Sequence, residues 1–195
     1  MRKTYLASLS VLAIAITGCE TNLTKIDEAG VELASTATEW SCVADTDSSL
    51  MWEKKTEYGK RWWNAWYTNT TNPANTPTSA RGTCLWDNGE WVEDESCHTE
   101  GYVDYINDLA LCGYDDWRVP TEEEFLTILD PDRSSPFFNV AYFPYEDMVN
   151  VWTATDSTYA TSGDGRAIRY YLLHTISPVS QERGVAFAVQ LVRDN

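Results

Sequence analysis

The sequence predicts an α+β fold: two helices packed on a twisted, mostly antiparallel sheet, with long irregular loops. Three observations carry that prediction. First, Thr99 can cap a helix that sets Tyr102, Val103, Ile106, Leu109 and Ala110 on one apolar face. Gly113 then offers the left-handed position at which such a helix stops. Second, Thr121 follows Pro120 and stands three residues before Glu124, a capping box that opens a helix over Glu122–Leu129. Glu122 and Glu123 add favourable charge at its positive end. Third, Val185–Val192 (VAFAVQLV) is apolar on both faces, as a central, fully buried strand is.

Taken in order, the chain opens with Arg2 and Lys3 and an apolar run, Leu6–Ile16, too short to span a bilayer as a helix. The run ends in AITGC, which resembles a bacterial lipobox with Cys19 as the lipidated residue; a plain signal peptide is the alternative. The resemblance implies a leader over residues 1–18. Glu20 implies sorting to the outer membrane, since an Asp at that place favours inner-membrane retention. A lipid anchor leaves the mature chain in water, held to the membrane only through its acyl groups. Losing the leader removes two cations and no acid, taking the net charge from −16 to −18. That charge disfavours nucleic acid and other polyanions, and suits neutral glycans, basic partners or divalent cations, with a plain solubility surface as the alternative.

Residues 19–39 lack aromatics and a sustained period. They read as a flexible tether, with a short helix near Ile26–Leu33 as the alternative. All nine Trp lie from Trp40 onward, so residues 40–195 form the single folded domain. Leu50–Trp52 reads as a short strand. The pairs Trp62/Trp66 and Trp63/Tyr67 would stack on a helical turn, as core or as a sugar-stacking face. Asp87-Asn88-Gly89, between Leu85-Trp86 and Trp91-Val92, signals a type I′ hairpin. Val151–Thr155 and Ala167–Leu173 read as strands.

With Cys19 set aside, Cys42, Cys84, Cys97 and Cys112 remain. An even number in an oxidising compartment predicts two disulfides, with three connectivities open. The hairpin favours Cys84–Cys97, which leaves Cys42–Cys112. Zinc is disfavoured: there is no CxxC pair, and His98 and His174 are the only histidines.

Between the helices, Trp117 is a large apolar residue and Arg118 carries a fork suited to Asp115, Asp116 or Glu124. Together with Pro120, Thr121 and Glu124 they read as an architectural motif: a buried Trp and a structural ion pair. No phosphate loop, HExxH or GxSxG is present, so no catalytic residue is assigned. Asp130, Asp132, Glu146, Asp147, Asp156 and Asp164 supply loop oxygens that a Ca²⁺ ion could use. The chain is otherwise read as free of cofactors and of metal.

GYDDWRVPTEEEF resembles the GxxDWRLPTxxEL signature of the Lcl C-terminal domain family, within the C-type-lectin-like superfold. Four further pieces follow the family's order: CVADTDSSLMWEKKT, CHTEGYVDYINDLALCG, VWTAT and VQLVR. Two departures stand out: Ser48-Ser49 replaces the usual Thr-Gly, and His98 replaces the usual Asp. The resemblance implies a lectin-like arrangement in which loops bind. The EPN and WND motifs of calcium-dependent sugar binding are absent where VWTAT stands. Formylglycine-generating enzymes share the superfold, but they use reactive thiols, and the thiols here are assigned to disulfides.

The expected function is a surface-anchored, non-catalytic binding or adhesion domain for a neutral glycan or protein. A structural envelope lipoprotein and a hydrolase are the alternatives. Ligand contacts are expected at Tyr142 and Tyr145 in the aromatic segment Phe137–Tyr145. They are also expected at Asp156, Tyr159 and Asp164 in the loop Asp156–Arg166.

Overall fold

A computed structural model describes residues 22–55, 63–65, 82–85, 91–94, 98–130, 137–144, 150–156, 164–170, 176–182 and 187–195. Two sheets and two helices make up the described chain, and the α+β expectation holds. The strands are β1 (Leu23–Ile26), β2 (Glu32–Leu33), β3 (Cys42–Asp45), β4 (Leu50–Glu53), β5 (Trp63–Ala65), β6 (Gly82–Leu85) and β7 (Trp91–Asp94). After the helices α1 (Thr99–Asp108) and α2 (Glu122–Thr127) come β8 (Asn150–Asp156), β9 (Asp164–Tyr170), β10 (Ile176–Glu182), β11 (Phe187–Ala188) and β12 (Val192–Asp194). One sheet runs β12-β4-β3-β1-β2 and the other β10-β9-β8-β11-β5-β6-β7. All pairings are antiparallel except β11 with β8.

The first sheet is covered on both faces, which is why all four residues of β3 and of β4 are buried. Successive side chains on a strand point to opposite faces. Cys42, Ala44 and Met51 accordingly enter a core with Tyr102 and Ile106 of α1, Trp117 and Trp152. Val43, Leu50 and Trp52 enter a second core with Phe125 of α2, Ile128, Phe138 and Phe143.

Residues 22–39 correct the tether. β1 pairs with β3 from Leu23↔Asp45 to Ile26↔Cys42, and turns into β2 through Asp27–Val31. Asp27 Oδ1 accepts from the N–H groups of Ala29 and Val31, closing that turn without a helix. Gly30 sits at φ +85°, and a Cβ there would lie 2.6 Å from the Cys112 carbonyl oxygen. The N-terminal hairpin therefore packs against the turn that carries the disulfide.

Helix α1 ends earlier than its apolar stripe suggests. Ala110, not Gly113, takes the first left-handed position (φ 48°), and a short 3₁₀ turn over Leu111–Gly113 follows. Leu109 is 49% exposed, so the apolar face closes at Ile106. The N-cap is His98 and not Thr99: His98 Nδ1 accepts from the Gly101 N–H at 3.0 Å, and Thr99 is buried in the first turn. Helix α2 has the predicted capping box, with Thr121 Oγ1 accepting from the Glu124 N–H and Glu124 accepting from the Thr121 N–H.

Three strand expectations change. Trp63–Ala65 is strand and not helix, paired with β6 and β11, so the described part of the helical stacking is excluded. The hairpin β6–β7 pairs Leu85 with Trp91, one residue out of step with a two-residue Asn-Gly turn. Strand β9 starts at Asp164, inside the stretch expected to be loop. The apolar run near the C-terminus is buried throughout Phe187–Val192 but is not one strand. It leaves the second sheet at Ala188 and joins the first at Val192.

Candidate functional site

The segment Trp117–Glu124 joins both helices to both sheets. Asn107 of α1 holds the Trp117 backbone twice, donating from Nδ2 to its carbonyl (3.1 Å) and accepting its N–H at Oδ1 (2.8 Å). The Trp117 ring is buried and its Nε1 donates to the Leu111 carbonyl at 3.0 Å. One residue on, Arg118 exchanges two backbone hydrogen bonds of 2.9 Å with Val192, which adds a bridge to the edge of the first sheet. Pro120 then accepts from the Ala154 N–H at 2.7 Å, and the Glu122 N–H donates to Thr155 Oγ1 at 2.8 Å, both on β8 of the second sheet.

The Arg118 guanidinium is bidentate on Glu124, at 2.8 and 2.7 Å, and also donates to Asp194 at 2.9 Å. Glu124 thus closes the capping box and the ion pair with the same carboxylate. Its pKa is lowered, chiefly by the Arg118 hydrogen bonds, and that of Arg118 is raised, chiefly by Glu124. Arg118 remains 40% exposed at the side chain, so the structural ion pair is a half-solvated clasp. Asp116 goes to Arg193, with Oδ1 2.6 Å from Nε; that contact is the main cause of its lowered pKa. Trp117, Arg118, Thr121, Glu124 and Asp116 thus all find partners inside the fold, which supports the motif's architectural role.

A second charged constellation was not anticipated. Glu53, Lys55 and Tyr102 are essentially excluded from solvent. Lys55 Nζ lies 3.1 Å from Glu53 Oε1 and donates to the Tyr102 hydroxyl at 2.7 Å; that hydroxyl in turn donates to Glu53. The reason lies in the chain's passage between sheets. Gln190 and Leu191 lie between β11 and β12, and buried backbone groups there still need partners. Glu53 Oε2 accepts the Leu191 N–H at 3.1 Å, the Glu53 N–H donates to the Leu191 carbonyl, and the Glu53 carbonyl accepts Gln190 Nε2. Glu53 bridges the crossing, and Lys55 with Tyr102 compensates its charge.

The described residues also line an open cleft of 440 Å³. Asn22, Asp45, Asp47, Ser48, Asp130 and Asn139 supply polar atoms, and Leu23, Ile128 and Leu129 an apolar floor. Asp45 is buried and oriented by the Asp47 N–H and the Ser48 hydroxyl, while Asn22 Nδ2 donates to Asp47. The walls come from the start of β1, the β3–β4 turn, the end of α2 and the loop before Tyr142. Among the described residues, no three His, Cys, Asp or Glu side chains converge so as to hold a metal ion.

The remaining predicted residues fall as follows. Cys42 and Cys112 form a disulfide across a Cα–Cα distance of 6.5 Å. The Cys84 backbone lies in β6, but its side chain and Cys97 lie outside the described residues, as do Cys19, Tyr145 and Tyr159. Asp156 ends β8 and Asp164 begins β9, with side chains outside the described set. Tyr142 is a correction: it is only 5% exposed and packs in the second core, while its carbonyl accepts from Trp40 Nε1 at 3.0 Å. An aromatic ring held that way cannot serve as a ligand platform. Of the residues named as candidate calcium ligands, Asp130 reaches the cleft. Asp45 and Asp47 were missed because the stretch reads as an acidic turn, and only the folded hairpin at Asn22 turns it into a wall.

No curated protein and no solved structure matches the chain. A family profile described as the Lcl C-terminal domain matches residues 41–193, from the residue before β3 to the middle of β12. The matched span takes in β3 through β11 and both helices, and the chain belongs to the Lcl C-terminal domain family.

Proposed function

We propose that this protein is an outer-membrane lipoprotein, acylated at Cys19, whose C-type-lectin-like domain binds a neutral glycan or a protein partner without catalysis. The observation that carries the binding reading is the open cleft of 440 Å³. Amide, hydroxyl and carboxylate groups ring an apolar floor there, the combination that orients a hydroxyl-bearing ligand while burying its apolar face. Asp45, Asp47 and Asp130 repel polyanions, in line with the net charge of −16. The lectin-like assignment draws support from two helices accompanied by two mostly antiparallel sheets.

A glycan array and pull-down on soluble protein beginning at Asn22 tests this reading. The start must precede β1, because removing residues 22–39 would strip two strands from the first sheet. A hit is expected, and Asn139→Asp and Asp130→Asn are expected to weaken it by about tenfold, roughly 1.4 kcal/mol. No hit from either screen, or hits indifferent to both substitutions, would remove the cleft from consideration.

A further inference from the structure

The described fold begins almost immediately after the residue read as the lipid attachment point, and this fixes which end of the domain meets the membrane. Asn22 is already locked. Its carbonyl accepts from the Thr46 N–H at 3.0 Å and from Thr46 Oγ1 at 3.3 Å, and its side chain donates to Asp47. Leu23 is paired with Asp45 in the sheet. Only Glu20 and Thr21 separate Cys19 from Asn22. A chain cannot exceed about 3.6 Å per residue, so Asn22 stays within about 11 Å of the acylated residue.

We infer that the end of the first sheet carrying Asn22, the β3–β4 turn and Asn195 faces the bilayer at close range. This rests on the proposed acylation of Cys19. Asn195 belongs to that end because its N–H donates to the Ser49 carbonyl at 2.9 Å. The Asp27–Val31 turn belongs to the other: it follows Ile26, at the far end of β1 from Leu23. Asn22, Asp47 and Ser48 all stand in the cleft wall. The cleft therefore lies near the surface of the bilayer that holds the protein, and the domain does not sample arbitrary orientations on a long tether.

Full-length lipoprotein carrying a dye at Asn195→Cys or at Val31→Cys, both exposed positions, is reconstituted in vesicles of phosphatidylethanolamine and phosphatidylcholine with a head-group quencher. Quenching is expected to be several-fold stronger at Asn195→Cys. A twenty-residue Gly-Ser insertion between Glu20 and Thr21, with an r.m.s. span of about 25 Å, is expected to abolish the difference. Equal quenching without the insertion, stronger quenching at Val31→Cys, or a difference that survives the insertion would each overturn the inference. Mass spectrometry of the same samples separates this from its premise: absence of a diacylglyceryl adduct on Cys19 overturns the acylation itself.

Discussion

The segment Trp117–Glu124 and the cleft between Asn22 and Asn139 carry similar side chains, yet the fold engages them in opposite ways. In the segment, Arg118, Glu124 and both the backbone and the indole of Trp117 find partners within the chain, on both helices and both sheets. In the cleft, Asp45 and Asp47 are braced by their own turn and by Asn22, but their walls enclose open volume. A dense sequence motif marks the part whose geometry the fold depends on. A ligand site needs only a scaffold and scattered polar groups, which leave little pattern in a chain this acidic.

The buried Glu53–Lys55–Tyr102 cluster marks the extreme of the first kind, and its disruption should have the largest effect. Lys55→Met leaves the Glu53 carboxylate uncompensated in the core, and should cost about 3–5 kcal/mol in denaturant unfolding. A loss below about 1 kcal/mol would mean that the crossing at Leu191 does not depend on that charge pair. Next comes Asn107→Ala, which strands the buried Trp117 N–H and carbonyl and should cost about 1–3 kcal/mol. Arg118→Ala should cost less, about 1–2 kcal/mol, because its guanidinium is partly solvated. Added salt should shrink the Arg118 effect and leave the Lys55 effect unchanged. The reverse ordering would invert the distinction between knot and clasp.

Two smaller tests concern the places where this chain departs from its family's pattern. Ser49 stands where the pattern has Gly, and it adopts φ 57°, a left-handed position disfavoured for a residue with a Cβ. Ser49→Gly should therefore stabilise by up to about 1 kcal/mol, measured as the shift in unfolding midpoint. His98 stands where the pattern has Asp, and caps α1 only while Nδ1 is unprotonated. Burial pushes its pKa below the ordinary 6.5, against the opposing pull of Glu100 and Asp104. The unfolded chain then takes up a proton that the fold resists. Stability from this group is complete above about pH 6.5 and falls as the pH drops below it. His98→Asp should flatten the stability profile in that window, and an unchanged slope would exclude His98 as its source.

Much of the architecture was legible. The Thr121–Glu124 box and the burial of Trp117 follow from local spacing; Cys42–Cys112 is the preferred one of three open connectivities, and the fold selects Glu124 from the three carboxylates offered to Arg118. What stayed hidden depends on partners distant in sequence. β1 has only Leu23 and Ile26 as sizeable apolar residues, and it becomes a strand because β3 offers an unpaired edge. Glu53 and Lys55 look like solvated charges until the chain returns at Leu191 and needs an acceptor. Thr99 is the better cap by propensity, but the fold buries it and gives the position to His98.

The division of labour between segment and cleft is tested most directly by measuring affinity and stability together on Arg118→Ala and Asn139→Asp, using whichever ligand the array returns. The account predicts that Arg118→Ala, at a temperature where it is folded, binds within about twofold of the unaltered protein despite its lost stability. It predicts that Asn139→Asp loses about tenfold in Kd while its stability changes by no more than about 0.5 kcal/mol. Affinity lost with Arg118 and kept with Asn139→Asp would contradict it, and would move the binding surface onto the Trp117–Glu124 segment.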